Sequence, residues 1–336
     1  MALSAADLTA WITNVGTSVL IIFVNKLLMG DRGYGFNFAV TLSGLHYLAA
    51  ALLTQGYTWT GLMTPKGVMP WRDRLLYTAV ASVSIVSLNV SLLVNNVGFY
   101  QIAKLCVIPF VALVEYFAYQ RRFSAPVLAS IGVVMGGVAI VTVSDVAVNF
   151  LGLNVALLSI AAAGSQQLLC RHQQTTLGVS SNEMLLYTAW PMAALLLAVG
   201  PWLDFAISGK WVLAFPYVYS VNIIIAATCL LAVGVNLSQF MCLGRFTAVA
   251  YQVLGHTKTI CVLLGGAFFF GELITPRVGL GMALAVAGMV GYGYFTNKEK
   301  AAVEPARGGS ESETAPLKEA SPARKASPTD SGARRA

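Results

Sequence analysis

Tyr100-Gln101-Ile102-Ala103-Lys104, followed by Pro126 and Gly132-x-x-x-Gly136, has a second copy further along the chain: Tyr251-Gln252 up to Lys258, then Pro276 and Gly281-x-x-x-Ala285. The offset is 149 to 151 residues. Between the copies the chain makes five predicted membrane crossings, an odd number. The second copy must therefore enter from the opposite side, which defines an inverted repeat of five plus five helices and makes alternating access the natural mechanism.

The crossings follow from composition. Hydrophobic residues make up 57% and charged residues only 10%, mean hydropathy is +0.71, and a soluble globule carries about 25% charged residues. At about 20 apolar residues per span, ten are expected, near 9–29, 38–59, 75–95, 98–120, 125–143, 150–170, 183–203, 216–240, 246–270 and 276–296. The expected fold is an all-α membrane fold, with residues 1–8 as a short N-terminus and 9–296 as the transporter domain, in halves of about 9–143 and 150–296. Residues 297–336, rich in Ala, Ser, Pro and charge, form a tail expected to be disordered.

The net charge of +7 does not indicate nucleic acid. Eight Lys and Arg lie in the tail, and seven (Lys66, Arg72, Arg74, Arg121, Arg122, Arg171, Arg245) lie in loops on the tail's side, against Arg32, Lys210 and Arg277 opposite. Both termini should be cytosolic. The five cysteines have no metal-binding spacing, and no cofactor or metal is expected. The first span follows about eight residues without Lys or Arg, which fits a retained first helix rather than a cleaved signal or a transit peptide.

Lys26, Lys104 and Lys258 lie within the spans, where a central lysine is disfavoured by roughly 2.5–3.5 kcal/mol. Only Glu115 falls in the body of a span, eleven residues from Lys104 or about 16 Å along a helix, so a bound anion is the natural partner. Lys26, in the last turn of its span, can instead snorkel. In the ninth helix Tyr251, Gly255 and Lys258 share one face, and in the fourth Tyr100 and Lys104 do, with Gln101 beside them. Ammonium, amide and aromatic groups suit a ligand carrying phosphate and a base. His256 and Thr259 flank Lys258. His46, Asn89, Gln166, Gln167, Asn236 and Gln239 read as interhelical hydrogen-bonding groups, and the small-x-x-x-small pairs as helix contacts.

Asn25-Lys26-x-Leu-Met, the run Val97 to Leu105, Pro109, Thr142-Val143-Ser144-Asp145 and above all Gly244-Arg245-Phe246-Thr247-Ala248-Val249-x-Tyr-Gln-Val-Leu-Gly255-His256-x-Lys258-Thr259 resemble the nucleotide-sugar and triose-phosphate translocator family of the drug and metabolite transporter superfamily. The similarity covers nearly all of residues 11–296. It is strongest to the plant and algal UDP-rhamnose/UDP-galactose and UDP-xylose branch.

The resemblance implies exchange of a cytosolic UDP-sugar for luminal UMP in a Golgi or endoplasmic reticulum membrane, with Lys104 and Lys258 on phosphates and Tyr187 near base or sugar. It implies no enzymatic chemistry. The expected partners are UDP-sugar, UMP, membrane lipid and a second copy of the chain. The Gly-Ala-Leu-Asn-Lys and Phe-Tyr-Asn-Asn motifs of GDP-mannose relatives are absent, which disfavours that substrate. Plastid phosphate antiporters carry Lys-Arg where this chain has Lys258-Thr259, so antiport of triose phosphate or phosphoenolpyruvate is the alternative.

Overall fold

In lipid each backbone N–H and C=O must find its partner within the chain, and long apolar runs therefore become helices. The computed structural model describes residues 4–29, 33–94, 104, 106–142, 150–270 and 276–311. These form the helices α1 Ala5–Met29, α2 Ala39–Trp59, α3 Trp71–Val94, α4 Val107–Tyr119, α5 Ala125–Thr142, α6 Phe150–Leu177, α7 Ser181–Ser208, α8 Tyr219–Arg245, α9 Ala248–Phe270 and α10 Pro276–Glu311, with one 3-10 turn at Val212–Ala214.

Six helices among the described residues are long and apolar enough to cross a membrane: α1, α3, α6, α7, α8 and residues Gly279–Thr296 of α10. The chain is a multi-pass membrane protein. Shorter apolar stretches, Val107–Ala118 and Ala125–Gly137, lie in α4 and α5. α2 and α9, of 21 and 23 residues, carry His46 and Gln55, and Gln252, His256 and Lys258, in their interiors.

Residues 1–295 form one compact unit. Within it α2 pairs with α7, α3 with α6 and α1 with α8, and smaller contacts join α2 to α8, α3 to α7, α1 to α9, α4 to α6, α7 to α8 and α4 to α9. Advancing every helix by five exchanges α1·α8 with α6·α3, α2·α8 with α7·α3 and α1·α9 with α6·α4, and leaves α2·α7 and α4·α9 unchanged. α6 also touches α8 and α9.

The second unit is residues 296–336. Helix continues to Glu311, where the sequence suggested disorder from Asn297. Lys298, Glu299, Lys300, Ala301 and Ala302 are strong helix formers, and extending an existing helix avoids the cost of nucleation. Residues 312–336 lie outside the described residues.

α5 meets α10 through small residues, with a shift of register. A Cβ on Gly137 would stand 2.5 Å from Ala285 N and 2.6 Å from Gly281 O, whereas Gly132 and Gly136 face open space. Gly281 and Ala285 thus make the expected contact, but their partner is Gly137, one residue and about 100° around the helix from Gly136. Gly137→Ala is expected to cost about 1–3 kcal/mol by overpacking against backbone. Gly136→Ala should leave the melting temperature of the detergent-solubilised protein unchanged.

Two ends of the bundle can be told apart by their loops. At the basic end the 60–70 loop is fastened to the start of α7. Ser180 and Glu183 form a capping box: the Ser180 hydroxyl accepts from Glu183 N at 3.3 Å, and Glu183 Oε2 accepts from Ser180 N at 2.7 Å. Glu183 Oε1 also accepts from Lys66 N, and from Gly67 N at 2.8 Å. Glu183→Gln keeps the shape but weakens each of these charge-assisted bonds. Faster proteolysis within residues 60–70 is the expected result.

At the opposite end the buried Asp204 of α7 accepts from Val40 N at 3.1 Å and Thr41 N at 2.7 Å, holding the start of α2. Beside it Phe36, Phe38, Phe215 and Tyr217 pack edge to face.

Candidate functional site

α9 starts where Thr247 Oγ1 accepts from Ala250 N at 3.0 Å, and its first turn is pinned by Glu115 of α4, whose Oε1 accepts from Ala248 N at 3.2 Å. From there Tyr251, Gly255 and Lys258 follow along one face, as their spacing required. Lys258 Nζ lies 5.5 Å from the centroid of the Tyr251 ring, a cation–π arrangement. Between them, an added Cβ at Gly255 would meet nothing within 4 Å. The absent side chain leaves room one turn before the ammonium.

Lys104 faces the same region from the chain segment preceding α4. Its side chain is exposed among the described residues. Its charge acts on both His256 and Lys258. The two lysines that the sequence singled out are thus brought within electrostatic range of one another. His256 is half-buried, and its Nε2 has no hydrogen-bond partner among the described residues.

The ion pairs described, Glu115–Arg121 at 2.7 Å and Asp7–Arg245 at 3.2 Å, lie at the basic end. Converging ammonium groups repel each other. A ligand bearing two or more negative charges relieves that repulsion more fully than a single carboxylate could.

Tyr187 has a different setting. Its hydroxyl donates to Gly67 O at 2.7 Å, and the Arg74 guanidinium sits 4.2 Å from its ring centroid. Its polar end is engaged in holding the 60–70 loop. Tyr100 and Gln101 lie outside the described residues, as do the side chains of Lys26 and Thr259.

Gln167 Oε1 is buried with no partner among the described residues, and four other polar residues at membrane depth divide in two. His46 Nε2 lies 3.1 Å from Thr228 Oγ1, joining α2 to α8, and Gln166 Nε2 donates to Tyr77 OH at 3.3 Å, joining α6 to α3. Asn89 and Asn236 instead donate to Ile85 O and Ala232 O of their own helices. Sequence reading passed over Asn14, which donates to Ser238 Oγ at 3.1 Å between α1 and α8. It also passed over Asn25 as a polar group in its own right. Asn25 stands on α1, which packs on α9, and its Oδ1 is buried without a partner among the described residues; its position next to Lys26 was the available signal.

A UDP-rhamnose/UDP-galactose transporter of Arabidopsis thaliana (number 2 of that name) is 41% identical over 297 residues, covering 88% of this chain and 85% of the relative. UDP-xylose transporter 1 of the same plant is 36% identical over 282 residues, covering 84% and 82%. A solved crystal structure, 14% identical, matches with a TM-score of 0.67 over 88% of this chain and 99% of that one, a likeness of fold alone. With residues 6–293 matched by the model of the Triose-phosphate Transporter family, the chain belongs to that family of membrane transporters.

Proposed function

We propose that this protein is a nucleotide-sugar antiporter that moves a cytosolic UDP-sugar of the galactose, rhamnose or xylose class inward in exchange for luminal UMP. The observation that carries the reading is the approach of Lys104 to Lys258 beside the open space at Gly255. The names of the relatives supply the substrate class. Lys104 and Lys258 hold the phosphates, Tyr251 and Gln101 orient the ligand, and Tyr100, His256, Thr259 and Lys26 complete the surroundings. Tyr187, through the 60–70 loop, acts at the basic end.

Transport proceeds by alternating access. Ten helices form a 5+5 inverted repeat, and the invariance of the main helix pairings to a shift of five supports this. The basic end faces the cytosol with both termini, and the membrane is that of the Golgi or endoplasmic reticulum.

The test is exchange in proteoliposomes preloaded with UMP and offered UDP-, GDP- and CMP-sugars and triose phosphate, read by mass spectrometry. Entry of UDP-sugars that depends on internal UMP is expected. Entry of triose phosphate against internal phosphate, with every nucleotide sugar excluded, would replace this reading with the plastid-type one.

A further inference from the structure

A pocket of about 270 Å³ opens at the basic end where α2, α3 and α7 meet, lined by Gln55 and Thr58 of α2, Trp71 and Arg74 of α3, and Tyr187 and Trp190 of α7. On α7 the packed core takes Leu185, Ala189, Met192 and Leu196, so the face that carries Leu186 and Trp190 is turned away from it. Trp71 and Trp190 are exposed, and exposed tryptophans of a membrane chain sit at the level of the lipid headgroups. The apolar span of α3 begins at Trp71, which places Arg74 in its first turn.

Arg74 is the charge in this pocket. Its Nε donates to Met69 O at 2.8 Å, and its guanidinium carbon lies 4.2 Å from the centroid of the Tyr187 ring. Neither partner is charged, and Arg74 makes no ion pair with a carboxylate among the described residues. Asp73 does not line the pocket. Glu183, at the start of α7, is taken up by the backbone N–H groups of Lys66, Gly67 and Ser180.

We propose that this pocket holds the phosphate headgroup of an anionic membrane lipid, with the phosphate on Arg74 and the acyl chains along Leu186 and Trp190. A guanidinium already stacked on an aromatic ring loses little freedom when its remaining N–H groups take a phosphate in a charge-assisted fork, and the Gln55 carboxamide supplies a further donor. The volume lies below the roughly 300–1,000 Å³ of pockets that enclose a whole small molecule, so the site suits a headgroup whose chains remain outside in the bilayer. Lys66 and Arg72 stand close by in sequence and add to the attraction for anionic lipid. Because Arg74 and Tyr187 hold Met69 O and Gly67 O, a headgroup seated on Arg74 braces the 60–70 loop against α7. Neither binding nor bracing depends on what the protein transports.

The experiment titrates the full chain in neutral detergent with dioctanoyl phosphatidic acid, dioctanoyl phosphatidylcholine, dioctanoylglycerol and inorganic pyrophosphate, each separately. At a hundredfold excess over Kd, phosphatidic acid should raise Tm by about 3 °C or more and slow proteolysis within residues 60–70. Arg74→Gln should weaken its binding at least about tenfold, and so should Gln55→Glu, which sets a fixed carboxylate in competition with the phosphate. Gln55→Glu alters a half-buried residue at the edge of the bundle and decides the matter alone if Arg74→Gln does not fold. No shift with phosphatidic acid overturns the proposal, as does a shift that survives in the folded variants. Equal binding of phosphatidylcholine or dioctanoylglycerol would remove its electrostatic basis. Pyrophosphate bound as tightly as phosphatidic acid, and lost in the same variants, would replace the lipid with a soluble anion.

Discussion

Lys258→Gln should reduce UDP-sugar exchange at subsaturating substrate by roughly ten- to a hundredfold, and Lys104→Gln by a similar factor. Each removes a charge-assisted contact to phosphate, worth about 1.5–3 kcal/mol. Glutamine keeps a donor and a similar length, so the loss reports charge rather than shape. Because Lys104 acts on Lys258, the two losses should not add: once one ammonium is gone, the ligand gains less by relieving repulsion. Initial rates of exchange in liposomes containing each single variant and the double variant provide the check. Wild-type rates in both single variants would remove these lysines from the site.

Gly255→Leu is the second large effect. Nothing lies within 4 Å of the position of its Cβ, so the new side chain extends into open space between Tyr251 and Lys258 instead of into a neighbouring helix. Binding and exchange should fall to background while Tm changes little. Glycine to leucine is also favourable for helix stability, by up to about 1 kcal/mol. Gly265→Ala on the same helix is the matched control. Its Cβ would collide with the Phe23 ring of α1, and the cost should appear in stability. If Gly255→Leu transported normally, the open space beside Lys258 would not be the substrate path.

The lysines stood out in the sequence because burying a charge in lipid is costly enough to demand a reason, and two charges in repeated segments demand the same one. The face formed by Tyr251, Gly255 and Lys258 was legible for a similar reason, since helical spacing alone aligns those positions. Tyr187 was harder. A tyrosine at membrane depth has an apolar ring and a hydroxyl that needs a partner, and nothing local indicates that Gly67, 120 residues away in sequence, supplies it. The α5 contact failed by one residue because a Gly-x-x-x-Gly pattern specifies a face but not which face another helix will meet.

What the sequence determined by itself is therefore whatever one helix and its solvent decide: an apolar all-helical membrane chain, approximate helix limits such as 38–59 against the observed Ala39–Trp59, and a set of costly polar residues needing partners. What only the tertiary structure decided is which partners they find. The meeting of Lys104 with Lys258, the seating of Glu115 between Arg121 and Ala248, and the hold of Asp204 on α2 join segments up to 164 residues apart. In lipid no hydrophobic force selects one helix pairing over another, so close packing and interhelical hydrogen bonds make that choice, and neither has a local signature in the chain.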